Sequence, residues 1–289
     1  IALGGGGAAA AGATALAVLA GPMLPISLTF FPVGTLLLVG TVWACARADR
    51  PRDAAIAGAL AALAALQRSN FVVLLPLGAA WLLSDLSRGL GTRVRLVLVF
   101  LTVGGAVVLP FSVRNAVVAG EFVVLTKGQF AANLSLSGIV PPDFRPVAQA
   151  SSYQELERLV AFCREQPRLA SERILGKALF VVGVRAGDHG GVLWWMVLPS
   201  VLGGVGALVL LVRGGRDTRR RTVFLVAVVG SQFLILLATR GDHPRLLVPL
   251  VPLLYAAAAA GLARLAADMG RGRAAVLHQL RAGRTAGAG

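Results

Sequence analysis

The sequence predicts an all-α protein, a polytopic transmembrane helix bundle of about eight crossings with one long external loop that carries a surface helix. Composition is the first reason: 56% of the 289 residues are hydrophobic and 14% are charged, whereas soluble domains have about 25% charged residues. The mean hydropathy is +0.77, and the apolar residues form runs near the length of a spanning helix, about 20 residues. Finally, basic residues separate these runs, as is typical of membrane topology.

Composition also excludes several classes of protein. The chain is too hydrophobic to be disordered, and two cysteines, Cys45 and Cys163, are too few for a disulfide scaffold and leave the redox compartment open. The net charge of +15 is interpreted as a topology signal, and we expect no nucleic-acid partner. The chain opens without Met in an uncharged Gly/Ala run, which is not a signal peptide. We therefore expect a fragment whose N-terminal part is missing.

Eight crossings are expected along residues 1–268, the predicted transmembrane domain. The interrupted apolar stretch 54–83 is interpreted as two short crossings with a tight polar turn at 67–70, and the alternative is one long tilted helix with Arg68 buried in the bundle. The eight predicted crossings are 3–21, 28–46, 54–66, 71–83, 96–112, 191–212, 223–239 and 246–267.

The charge of the connectors favours eight crossings. The connectors 47–53, 84–95 and 213–222 and the tail from 264 hold 16 of the 28 basic residues but only 5 of the 13 acidic ones. Eight crossings put all four on one side, which the positive-inside rule makes cytoplasmic. We therefore expect a multi-pass protein of the cell membrane with both ends cytoplasmic.

The long connector, about 113–190, is then external. We expect an extended segment at 122–126, a Pro-rich loop around Pro141 and Pro142, and a polar surface helix over about 152–177. Ser152 and Glu155 have the spacing of a capping box at the start of that helix. The tail 269–289 is Gly/Ala/Arg-rich, and it is expected to be a disordered cytoplasmic segment.

The most informative stretch begins at the end of the 96–112 crossing. Arg114 is expected to close this helix at the outer headgroup level, where its planar guanidinium suits a phosphate. The alternative is an arginine that only snorkels to the interface. The stretch comprises 110–115 (PFSVRN), 120–126 (GEFVVLT) and 133–138 (NLSLSG).

These motifs resemble the polytopic glycosyltransferases of the GT-C superfamily, of the protein-mannosyltransferase and lipid A aminoarabinose transferase type. Residues 57–76, which include GALAALAALQRSNFVVLLP, resemble a helix pair of that family. Residues 244–252, PRLLVPLVP, resemble its Arg-Tyr-x-x-Pro-x-x-Pro helix, although Leu246 replaces the usual Tyr. The resemblance covers most of residues 5–265.

The resemblance implies transfer of a sugar from a polyprenyl-phosphate carrier to an acceptor hydroxyl of a lipid, glycan or protein at the outer membrane face. The family's catalytic carboxylate lies in the first external loop, and the chain resembles the family from its third helix onward. We therefore name no catalytic residue, and we expect this fragment alone to be inactive.

Further polar residues are candidates for the external site. Arg68 in the short outer turn is a candidate phosphate ligand or pairs with a helix-end carbonyl, and Lys127 either reaches the carrier phosphate or is a solvated loop residue. Two Gly-Asp-His sequences offer acid–base or divalent-metal groups, or are ordinary turns in which Asp caps the next element; no cofactor is certain. The two sequences contain Asp188, His189, Asp242 and His243, and Arg240 and Arg245 flank the second.

Two other functions remain open on the sequence. A transporter or flippase of a lipid-linked or amphiphilic substrate usually has inverted repeats and broken helices with polar groups at the midplane. This chain has no evident repeat, and its polar groups gather at one predicted membrane face, which favours surface chemistry. A non-catalytic membrane scaffold is the third interpretation.

Overall fold

A computed structural model describes residues 32–119, 139–146, 152–181, 184, 194–238 and 249–286. The described residues form α-helices and one short 3₁₀ helix, with no strand among them. The predicted first crossing, 3–21, and the predicted extended segment, 122–126, lie outside the described residues. The elements are α1 (Pro32–Ala46), α2 (Pro51–Gln67), the 3₁₀ helix η1 (Ser69–Val73), α3 (Leu74–Leu83), α4 (Leu90–Ala119), α5 (Ser152–Glu165), α6 (Pro167–Val181), α7 (Trp194–Arg213), α8 (Arg216–Ala238) and α9 (Val251–Ala286).

The all-α prediction is confirmed for the described residues, and three helices are long and apolar enough to cross a membrane. These segments are Leu90–Val118, Arg216–Leu237 and Val251–Arg271. Shorter apolar helices cover Val33–Ala46, Ser69–Leu83 and Val197–Arg213. The helices are consistent with a membrane protein, and the number of eight crossings stays a prediction.

The stretch 54–83 is a helical hairpin, as the sequence predicts, and not one long helix. α2 ends at Arg68, whose backbone is extended with φ −148° and ψ 120°. The chain then turns through η1, and α3 runs back towards the start of α2. Trp81 near the end of α3 shows this, because its indole Nε1 donates to the carbonyl oxygen of Cys45, which precedes α2, at 2.8 Å. With rises of about 1.5 Å per α-helical and 2.0 Å per 3₁₀ residue, both arms are about 25 Å long.

Glycines allow α2, α3 and α4 to pack at close range. A Cβ on Gly58 would lie 2.2 Å from the carbonyl oxygen of Phe100, and one on Gly78 would lie 2.5 Å from the Phe100 ring. Phe100 is fully buried between them. Small residues of this kind let membrane helices approach until their backbones touch.

The other half of the bundle is built on the same principle. α7 packs closely along α9, where a Cβ on Gly206 would lie 2.3 Å from the carbonyl oxygen of Ala257. Helix α8 lies between the two halves, because it contacts α3 and η1 on one side and α7 and α9 on the other.

Three predicted boundaries differ from the structure. α4 does not close at Arg114 but continues to Ala119 with Pro110 inside it. The predicted surface helix 152–177 is two helices, because Pro167 disfavours the helical conformation of the residue before it and α6 begins there. α9 runs to Ala286 and so enters the tail predicted to be disordered, where Ala and Arg are strong helix formers.

The predicted capping box is wrong. Ser152 is the first residue of α5 and not its N-cap, so Glu155 is the fourth helical residue instead of the third that a capping box requires. Its carboxylate is buried and lies 3.6 Å from the guanidinium of Arg158. Arg158 also donates to the carbonyl oxygens of Phe144 at 2.5 Å and Pro141 at 2.7 Å. This arginine therefore holds the Pro-rich loop 139–146 on α5, around a small core that contains Phe162.

Candidate functional site

The Arg68 turn is the centre of the candidate site, and a side-chain pair joins it to α8. The Nδ2 of Asn70 donates to the Oε1 of Gln232 at 2.7 Å, and the Nε2 of Gln232 donates to the carbonyl oxygen of Asn70 at 3.3 Å. Gln232 is 2% exposed, and burial of an amide without hydrogen bonds would be costly. Here both the oxygen and the nitrogen of its amide have a partner. The pair fixes the turn of the hairpin against α8.

Arg68 lies at the end of α2, and it is half-buried. Its guanidinium carbon lies 5.9 Å from the centre of the Phe71 ring. Its neighbour Gln67 packs against α1, since a Cβ on Gly34 would lie 2.6 Å from the Oε1 of Gln67. The turn is thus held between α1 and α8, and it keeps the Arg68 side chain at this end of the bundle.

Arg114 lies at the same end of the bundle as Arg68. α2 and α4 run in the same direction, and Gly104 of α4 lies beside Gly58 of α2, where a Cβ on Gly104 would be 3.3 Å from the Gly58 carbonyl oxygen. Arg68 follows Gly58 by ten residues and Arg114 follows Gly104 by ten residues, about 15 Å of helix in each case. The two arginines therefore lie at a similar height in the bundle. Arg114 is exposed on the surface of α4, so its guanidinium is accessible to a ligand.

Most of the other predicted site residues lie outside the described residues. These are Lys127, Asp188, His189, Arg240, Asp242, His243 and Arg245. Their grouping, and with it the possibility of an acid–base pair or a divalent-metal site, therefore stays a prediction. Within the described ranges, no group of three or more His, Cys, Asp or Glu side chains is placed to hold a metal ion.

A cluster of charged side chains at the opposite end of the bundle was not expected as a unit from the sequence. Arg220 of α8 donates to the Oγ of Ser84 at 3.2 Å and to the carbonyl oxygen of Trp81 at 2.9 Å. Its guanidinium lies 3.2 Å from the carboxylate of Asp85 and 3.9 Å from the centre of the Trp81 ring. Arg88 pairs with both Asp85 and Asp49.

These groups line a cavity of about 190 Å³. Burial raises the pKa of Asp85, but the hydrogen bonds from Ser87 and the positive charges of Arg220 and Arg88 outweigh it, so the pKa lies below its ordinary value. Each cation has a carboxylate beside it, which makes the cluster a structural clasp between connectors. The signal in the sequence was an aspartate within each of the Arg-rich connectors.

The ion pairs also bring the four Arg-rich connectors to one end of the molecule. Arg88 joins 84–95 to Asp49, and Arg220 joins 213–222 to Asp85. Arg213 lies 3.8 Å from Asp268, in the segment that follows residue 264. This grouping agrees with the side assigned to these connectors by charge.

No family model matches the sequence, and no curated protein and no solved structure matches it.

Proposed function

We propose that this protein is a membrane glycosyltransferase that moves a sugar from a polyprenyl-phosphate carrier to an acceptor hydroxyl at the outer membrane face. The observation that carries the proposal is the position of Arg68 and Arg114 at the same end of the bundle, opposite the Arg-rich connectors. The resemblance of the surrounding motifs to the GT-C superfamily supplies the reaction.

The two arginines suit the carrier phosphate for different reasons. Arg114 is exposed on α4, and its planar fork can make two parallel bonds to phosphate oxygens. Arg68 is half-buried beside the Asn70–Gln232 pair, and a guanidinium tolerates such burial because it is more weakly hydrated than an ammonium. Together they stabilise the phosphate while the polyprenyl chain stays in the bilayer.

The transfer breaks the bond between the anomeric carbon and the carrier phosphate and forms a bond from that carbon to the acceptor oxygen. A carboxylate takes the proton of the acceptor hydroxyl, and the carrier leaves as a polyprenyl phosphate. The resemblance assigns that carboxylate to a loop between the family's first two helices. The arginines of this chain stabilise the negative charge on the departing phosphate.

The transporter interpretation receives less support from the described contacts. A transporter is expected to bind its substrate near the bilayer midplane, where broken helices expose polar groups. The polar side-chain contacts that the structure describes between helices of the bundle instead lie at its two ends, at Asn70–Gln232 and at the clasp around Arg220.

Replacement of Arg114 tests the proposal. Arg114→Lys keeps the charge and loses the fork, and Arg114→Ala loses both. A charge-assisted bond contributes about 1.5–3 kcal/mol, so the alanine variant should bind a polyprenyl phosphate about 10- to 100-fold more weakly, with the lysine variant in between. Binding is measured on the membrane-extracted protein in detergent, together with the melting temperature.

Arg95→Ala is the matched control, because Arg95 is also exposed on α4 but lies near its other end. Its affinity for the carrier phosphate should equal that of the wild type. If both Arg114 variants bound the polyprenyl phosphate as tightly as the wild type, a phosphate role would be contradicted. If only the lysine variant bound it as tightly as the wild type, Arg114 would be a snorkelling arginine.

A further inference from the structure

An apolar groove lies between α7, α8 and α9, away from the Arg68 turn. Its volume is about 360 Å³, and its walls are almost wholly apolar. Apolar side chains and glycines from all three helices line it, among them Gly204, Ala207, Val226, Gly230, Phe233 and Leu254. α8 and α9 contain segments long and apolar enough to cross a membrane, and α7 contains a shorter apolar segment, so in a bilayer the groove faces lipid chains.

Two glycines make the groove. A Cβ on Gly204 of α7 or on Gly230 of α8 would meet no atom within 4 Å, whereas one on Gly203 would come within 2.9 Å of Leu254. Gly203 therefore allows α7 and α9 to pack closely, but Gly204 and Gly230 leave space that none of the described helices fills. The space suits a flexible hydrocarbon chain.

The groove has a positively charged end. Arg219 precedes Val226 by seven residues and Gly230 by eleven, so at 100° per residue these positions of α8 fall within a sector of about 40°. The rise between Arg219 and Val226 is about 10 Å. Arg219 is exposed, and its Nη2 donates to the carbonyl oxygen of Val212, the residue before the last one of α7. The guanidinium thus lies over the end of the cleft between α7 and α8.

The charges nearest to this end are favourable to an anion. Asp217 lies about 180° away from Val226 on α8, and it lines the cavity of the Arg220 clasp instead. Asp268 of α9 pairs with Arg213, Arg264 and Arg271. Arg216 is exposed one turn before Arg219. Arg219 uses one of its five N–H donors on Val212, which leaves four for a ligand.

We propose that this groove binds an anionic phospholipid, with one acyl chain along Gly204 and Gly230 and the phosphate on Arg219. The occupant is a phospholipid of the leaflet at the Arg-rich end, where anionic headgroups attract basic residues close to the surface. The site is distinct from the proposed carrier site, because the Arg68 turn lies at the opposite end of the bundle. It does not depend on the glycosyltransferase assignment.

The test measures lipid binding to the purified protein by native mass spectrometry. The probes are phosphatidylglycerol and phosphatidylcholine with identical acyl chains. The wild type should retain phosphatidylglycerol about tenfold better than phosphatidylcholine, because both lipids carry a phosphate but the quaternary ammonium of phosphatidylcholine cancels its net charge and is repelled by the exposed Arg216 and Arg219. Arg219→Gln should reduce phosphatidylglycerol binding to the level of phosphatidylcholine. Gly230→Leu should reduce the binding of both lipids by filling the groove.

Matched controls separate these effects from general damage. Arg52→Gln removes an exposed arginine elsewhere at the same end, and Gly105→Leu adds the same side chain at an open position of α4; both should bind like the wild type. Gly204→Leu fills the groove from its other wall and replaces Gly230→Leu if that variant melts at a lower temperature.

Unchanged phosphatidylglycerol binding in Arg219→Gln, or in both leucine variants of the groove, would overturn the proposal. Polyprenyl phosphate as a third probe gives another decisive outcome: loss of its binding in Arg219→Gln would assign the groove to the carrier. Dissociation of an oligomer in the leucine variants would assign it to a second copy of the chain.

Discussion

Arg220 joins parts of the chain that lie far apart in the sequence. It contacts Trp81, Ser84 and Asp85, more than 130 positions away. Its guanidinium lies over the ring of Trp81, and this ring also stacks on that of Phe224, with 4.8 Å between the two ring centres. Because the guanidinium combines an ion pair, two hydrogen bonds and a cation–π contact, only arginine can make all of them at once.

Arg220→Ala should therefore lower the stability of the protein by about 2 kcal/mol, a value typical of a lost cation–π contact and a charged hydrogen bond. Arg220→Lys should recover only part of this loss, since an ammonium lacks the planar fork. Thermal unfolding in detergent measures the effect. Arg52→Ala serves as the control, and an equal loss in that variant would rule out a specific role of the clasp.

The lowered pKa of Asp85 predicts that the stability of the protein depends on pH. Its pKa in the folded protein lies below its ordinary value, so the carboxylate stabilises the fold at pH values above the ordinary carboxyl pKa, about 4. The contribution is lost as the pH falls through the lowered pKa of the folded state. The melting temperature should therefore drop more steeply from about pH 6 to about pH 3 in the wild type than in Asp85→Asn.

The control for this pH effect is Asp143→Asn, which removes an exposed carboxylate of the loop 139–146. Its melting temperature should follow the pH curve of the wild type. If Asp85→Asn also follows that curve, the clasp does not contribute through the charge of Asp85.

At the scale of the elements, helix contacts depend on where glycines face another backbone. Gly206 and Gly261 meet at the α7–α9 contact, where a Cβ on Gly261 would lie 2.5 Å from the Cα of Gly206. Gly105 of α4 has open space around its Cβ position. The same residue type thus has opposite roles, close packing in one helix and an exposed surface in another.

Gly206→Ala should destabilise the protein by about 1–3 kcal/mol, because the added methyl group forces two backbones apart. Gly105→Ala should leave stability unchanged or raise it by up to about 1 kcal/mol, the difference in helix propensity. Melting temperatures of the two variants, measured side by side, test the contact. A stabilised Gly206→Ala protein would show that α7 and α9 are farther apart than the structure has them.

At the scale of the whole molecule, charge divides the bundle into two ends. The clasp and the Arg213–Asp268 pair gather the Arg-rich connectors at one end, and the Asn70–Gln232 pair lies at the other. Since basic connectors are retained on the cytoplasmic side, the loop 139–146 is expected on the outside.

Cysteine labelling on intact cells tests this orientation. Both native cysteines are first replaced, by Cys45→Ala and Cys163→Ser. Asp143→Cys should then react with a membrane-impermeant maleimide, and Arg216→Cys should react only after the membrane is opened. Both positions are exposed. Labelling of position 216 but not of position 143 on intact cells would invert the topology.

The sequence by itself determined the helical class, favoured the hairpin at 54–83 and predicted that the basic connectors lie together. These features depend on composition and on local order: apolar runs, a polar turn at Arg68 and charges between the runs. Helix ends were less predictable, because Pro110 lies inside α4 while Pro167 begins α6. Of the candidate site, the sequence singled out Arg68 and Arg114 individually.

Only the tertiary structure decided which residues meet. Asn70 and Gln232 are 162 positions apart, and no spacing rule relates them. Their contact exists because glycines set the distances between helices and so determine which helix faces meet and at what height. The Arg220 clasp and the groove at Gly204 and Gly230 have the same origin. Local patterns predict each helix, whereas contacts between helices depend on packing distances that emerge only when all the helices are together.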